Sequence, residues 1–171
     1  MQSEKRVRES FQEMGSIIDE LEHIAEKMLA VMDKQINAIV AANNEEIEKY
    51  TEEYSDLRGR FNEQEENFVE QLYQILNLPE GAEQEVQMDQ LKKLFPNATS
   101  TIDEWKQLIE EQALKLKRKH NRVVDLLDFA LNRNASLMHA IYSLNNRKNT
   151  HYSPGGRKED ISSGMAVNKE A

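Results

Sequence analysis

The sequence has no cysteine, only three prolines and six glycines, and 6% aromatic residues in 171 positions. Without cysteine there is no disulfide, no thiol nucleophile and no thiolate metal site, which fits a reducing compartment. No run approaches the roughly 20 apolar residues that a membrane-spanning helix needs. The N-terminal "MQSEKRVRESFQEMG" is charged and lacks the apolar centre of a secretion signal. The expectation is a cytoplasmic protein with no stable membrane insertion. The Asn-x-Ser/Thr triplets at Asn97 and Asn134 then read as chance matches, because glycosylation requires secretion. Few aromatics combined with 31% charged residues argue against a compact α/β enzyme and for long solvated helices with narrow apolar seams. The net charge of −9 argues against a nucleic-acid partner, whose binders carry basic surfaces.

The few helix breakers are informative by position. Prolines occur at Pro79, Pro96 and Pro154, and neither proline nor glycine occurs from Asn97 to Ser153. Long helices can therefore run on either side of a middle connection. In the first segment, about 3–42, Val7, Phe11, Met14, Ile18, Leu21, Ala25, Met28 and Met32 recur at steps of three and four. That is the period of a coiled-coil seam, interrupted at Gln35 and resumed at Ile39. Asn43 and Asn44, followed by Glu45 and Glu46, suit a tight junction and the start of a second helix over about 45–77. Its seam is Ile47, Tyr50, Tyr54, Leu57, Phe61, Phe68, Leu72 and Ile75, with Gln64 as a polar gap.

A short helical turn is expected at about 86–95. Ser100 or Thr101 suits the cap of a third helix running to about 147, with Asp103 and Glu104 in its first turn. Such a helix would be about 70 Å long and needs helical neighbours. The simplest packing is all-α: an elongated antiparallel three-helix coiled-coil bundle over 1–147, with a flexible C-terminal tail over 148–171. From Asn145 onward the chain holds five Lys/Arg against three Asp/Glu, so the tail is basic and the remainder strongly acidic.

The third helix changes character midway. Ile102, Trp105, Ile109 and Leu116 form a narrow stripe, but from Val123 the chain reads "VVDLLDFALNRNASLMHAIYSL". One face carries Val123, Ala130, Leu137, Ile141 and Leu144. A second carries Val124, Leu127, Leu131, Met138 and Tyr142, with Leu126 and Phe129 outside both. A bundle needs one face and its flanks, so this helix has apolar residues to spare. The excess fits either tighter packing or self-association at this end, or a docking face for a partner helix, whose anchors fall at one-turn spacing.

Signals for chemistry are sparse. Glu20 and His23 form a single Glu-x-x-His, whereas dinuclear carboxylate bundles need two copies and further carboxylates. In a glutamate-rich chain one copy is expected by chance, and no metal or cofactor is expected. His120 and His139 suit hydrogen-bonded places at a seam edge. Gly155 and Gly156 precede no Lys-Ser/Thr helix start, so no phosphate loop is present. A thin bundle offers little of the concave pocket that catalysis uses, and no enzyme activity is expected.

The layout resembles a known family. A helical hairpin precedes the helix "HNRVVDLLDFALNRNASLMHAIYSL", then a polar spacer leads to "HYSPGG" and a small, polar tail. This is similar to the FlgN-type flagellar export chaperones of bacteria, most specifically over residues 120–156. The resemblance implies a cytoplasmic chaperone that binds the C-terminal helices of hook-filament junction proteins, prevents their premature association and delivers them to the flagellar type III export gate. It implies neither catalysis nor a cofactor. Carried onto this chain, the substrate-binding region maps to Val123–Leu144, with Val124, Leu127, Leu131, Met138, Ile141 and Tyr142 as the contact residues. The gate-docking tyrosine maps to Tyr152, with Tyr142 and His151 as neighbouring aromatic candidates. The chain is long for that family, with a larger connection around 78–100. An alternative from another class is a structural or regulatory coiled-coil protein, a homo-oligomeric stalk or secretion-ATPase regulator that pairs through the same apolar excess.

Overall fold

The computed structural model describes residues 2–78, 88–148, 151–152 and 158–159, with side chains over 4–78 and 88–144. The described chain is predominantly helical: α1 (Gln2–Val40), α2 (Asn44–Leu76), α3 (Asp89–Leu94), a 3-10 turn (Pro96–Ala98) and α4 (Thr99–Lys148). Two short strands follow, β1 (His151–Tyr152) and β2 (Lys158–Glu159). The chain divides into two compact units, Met1–Leu126 and Leu127–Ala171.

Within the first unit, α1 and α2 are joined by a three-residue turn that serves both helices. The Asn43 N–H donates to Ala38 O at 3.0 Å and the Ala42 N–H to Ile39 O at 3.1 Å, with Ala42 at φ 52°. This is the paired terminal bonding that closes helices through a left-handed residue. Asn43 then caps α2, its side-chain oxygen accepting from the Glu46 N–H at 3.3 Å. α2 ends by the same device at Asn77, φ 52°, with Leu78 N–H on Tyr73 O at 3.1 Å. Across the hairpin, Arg60 pairs with Glu20 at 3.2 Å and Gln35 Nε2 donates to Thr51 Oγ1 at 3.4 Å. The polar break in the α1 seam is thus buried against a hydroxyl, which offsets part of its desolvation.

The core of this unit is layered along α1. Met14, Ile18, Leu21, Ala25, Met28 and Met32 are all buried. Ile17, Ile24, Val31 and Ala38 are buried as well, a second strip at seven-residue spacing beside the seam read from sequence. α1 is therefore covered on more than one side, and a single seam understates its buried face. One cluster joins Met14, Ile17, Ile18 and Leu21 to Phe68, Leu72 and Ile75 of α2, Leu91 of α3 and Ile102 of α4. A second joins Ile24, Met28 and Val31 to Leu57, with Tyr50, Tyr54, Phe61 and Leu116 packed around it.

The early part of α4 enters this core through aromatic and polar contacts. Trp105 lies 4.9 Å from Phe11, ring centroid to centroid, and Phe11 lies 4.4 Å from Phe95. Further along, Lys119 pairs with Asp33, and His120 stacks on Tyr54 at 6.2 Å. α4 begins at Thr99, ahead of Ser100 and Thr101, because the 3-10 turn at Pro96–Ala98 leads straight into it. The Thr99 hydroxyl donates to Pro96 O at 3.0 Å. Lys92 of α3 bridges Asp89 and Asp103, which holds the Asp89 carboxyl below its usual range through the Lys92 hydrogen bond first and the Lys106 charge second.

In the second unit, α4 remains helical through Lys148. β1 pairs antiparallel with β2, His151 opposite Glu159 and Tyr152 opposite Lys158. Within the tail that the sequence marks as flexible, His151 and Tyr152 therefore form a backbone ladder. The rest of the tail, and the side chain of Tyr152, lie outside the described residues.

Candidate functional site

The feature that stands out is the second part of α4. Between Leu126 and Leu144 only Asp128 and Arg133 carry a full charge, in a chain that is 31% charged. Helical periodicity puts Leu127, Leu131, Met138, Ile141 and Tyr142 within one broad sector. Leu137 and Leu144 border it. Polar and small residues, among them Asp128, Asn132, Ser136, His139 and Ser143, fill the opposite side.

Exposure is high throughout this stretch. Leu131 is 65% exposed, and Met138, Ile141 and Tyr142 stand at 45–50%. Leu127 is half-buried, and Val124, which belongs to the first unit, is exposed. Phe129, Leu137 and Leu144 are also exposed, more so than Met138, Ile141 and Tyr142. Their signal was legible, since Phe129 fell outside both helical faces and Leu137 and Leu144 lay on the first. Val123, on that same first face, is instead buried in the first unit. Adjacent valines thus differ because one points into a packed core and its neighbour, turned by about 100°, does not.

An apolar sector of this size on a helix is chemically suited above all to burying another apolar surface. Contiguous patches beyond a few hundred Å² mark interaction sites. On the opposite, polar side Ser143 Oγ lies 3.5 Å from His139 Nδ1.

Among the described residues no group of three or more His, Cys, Asp or Glu that could hold a metal ion converges. The Glu20 carboxylate of the Glu-x-x-His pair is engaged by Arg60, and His23 is exposed. Among the described residues no helix is long and apolar enough to cross a membrane. No protein-family model, curated protein or solved structure matches the chain.

Proposed function

We propose that this protein is an export chaperone of the FlgN type, which captures the amphipathic C-terminal helices of hook-filament junction proteins in the cytoplasm and hands them to the flagellar export gate. The scaffold in this reading is an elongated antiparallel three-helix coiled-coil bundle with a flexible tail. The pairings of Trp105 with Phe11 and of Lys119 with Asp33, beside an α1–α2 hairpin, support an up-down-up arrangement. The observation that carries the function is the exposed apolar sector of α4, with Leu131, Met138, Ile141 and Tyr142 at its centre. Covering it would contribute roughly 25 cal/mol gross for each Å² of apolar surface removed from water. Much of that is offset by lost translational freedom and side-chain ordering. Methionine at the centre suits a surface that accepts related partners.

The decisive test is capture of a junction-protein C-terminal helix by the Leu131→Glu/Met138→Glu double variant. Both side chains are at least half exposed. Each change should therefore cost the folded chaperone no more than about 0.5 kcal/mol. Helicity should persist while affinity falls at least about a hundredfold, as two charges meet an apolar partner. Unchanged capture would move the substrate site elsewhere. In the same assay Tyr152→Ala should leave substrate capture intact and weaken recruitment to the gate.

The same apolar sector also supports the structural reading, in which two copies pair through α4. Light scattering after size exclusion separates them: a tight obligate dimer favours the stalk or regulator, and a monomer stabilised by the junction-protein helix favours the chaperone.

A further inference from the structure

A separate feature lies within the first unit, away from the apolar sector of α4. A cavity of about 300 Å³ opens between the helices, walled by Leu21 of α1, Phe61 and Phe68 of α2, and Leu108 and Leu116 of α4. That volume is at the lower end of small-molecule sites. Among the described residues its lining is apolar except for Glu22, Glu65 and Gln112, and none of them is a lysine, arginine or histidine. The Gln112 Oε1 atom is buried and accepts no hydrogen bond from any of the described residues. A buried acceptor without a donor is costly, and such groups are ordinarily satisfied.

We propose that this cavity is a binding site for a small amphipathic organic cation, a primary ammonium on an apolar body. The apolar walls suit the body, and the sign of the head group follows from the lining. Two carboxylates and an unpaired carbonyl oxygen present acceptors and negative charge, and an anion would meet only repulsion. An ammonium carries three N–H donors, matching in number the three polar groups of the lining. Were the Gln112 amide turned over, the buried atom would be a donor, and the two carboxylates would still select a cation. Glu65 and Val69 also border an open hollow of about 680 Å³ along α2, shared with Glu66 and Glu70. Desolvation from its partial burial raises the pKa of Glu65.

The test uses the full chain with three probes that share one apolar body: phenylbutylamine, phenylbutanol and phenylbutyrate. Calorimetry should show saturable binding of the amine at one site per chain, accompanied by a raised melting temperature. The alcohol should bind at least about tenfold more weakly and the acid not measurably. Glu65→Gln, a conservative change on a largely exposed residue, should weaken the amine by about tenfold or more while the far-UV circular dichroism stays unchanged. Ala113→Phe, which fills the cavity from its lining, should abolish binding. Equal binding of amine and acid overturns the proposal. So does an amine affinity indifferent to Glu65→Gln, or failure of all three probes to bind the folded protein.

Discussion

Gly15 stands in the middle of α1, where glycine costs about 1 kcal/mol relative to alanine. The reason it can be there is on the neighbouring helix. A Cβ at position 15 would lie 3.3 Å from Cζ2 of Trp105, closer than an ordinary van der Waals contact. The indole has little room to retreat, because it also packs on Phe11, which in turn packs on Phe95. In the intact protein, the helix gain from Gly15→Ala is therefore opposed by a squeezed contact. With Trp105 changed to leucine the opposition disappears, and the full gain of about 1 kcal/mol should be realised. We expect Gly15→Ala to be neutral or destabilising in the native background and stabilising by about 1 kcal/mol in Trp105→Leu, a coupling of at least about 1 kcal/mol. Urea unfolding of all four proteins, followed by far-UV circular dichroism, measures it, provided the four share one slope. Equal effects of Gly15→Ala in the two backgrounds would refute the placement of Trp105 on α1, and with it the way the early part of α4 docks.

Two further outcomes follow from local geometry. Ala42 holds a left-handed conformation at φ 52°, which costs an L-residue about 1–2 kcal/mol. Ala42→Gly should raise stability by about 0.5–1 kcal/mol in thermal or urea unfolding, once the extra freedom of glycine in the unfolded chain is subtracted. Glu65 has its pKa raised by desolvation at the cavity, so the folded protein favours its neutral form. Its contribution is fully present below the ordinary carboxylate range and is lost as pH rises through its elevated value. Glu65→Gln should melt slightly higher than the native protein near neutral pH, and the gap should close as the solution is made acidic. The gap is small because much of the side chain is solvated. A constant or inverted gap would contradict the desolvation argument.

The helical class of this protein is written into its one-dimensional pattern. A three-and-four repeat through Met14, Ile18, Leu21, Ala25 and Met28 admits no other regular structure, and the run from Asn97 to Ser153 puts neither proline nor glycine inside α4. The role of Asn43 as a cap was legible for the same local reason: its short acceptor reaches a helix-start N–H without help from distant residues. The surplus of apolar residues beyond Val123 was also countable from sequence alone.

Which of those apolar residues would be covered was not. Val123 is buried and Val124 is exposed, though their side chains are identical. Ile17, Ile24 and Val31 form a second buried strip that a single seam does not announce. Gln35 looked like a defect and proves to be buried against Thr51, while nothing in the sequence announced that Gly15 seats Trp105. The acidic lining of the cavity joins Glu22 to Glu65 and Gln112, residues from three helices with no sequence relation to one another. Periodicity declares which side chains share a face of a helix, because that depends only on the turn of the backbone. What meets that face depends on contacts between residues far apart in the chain, and only the folded arrangement of helices decides them.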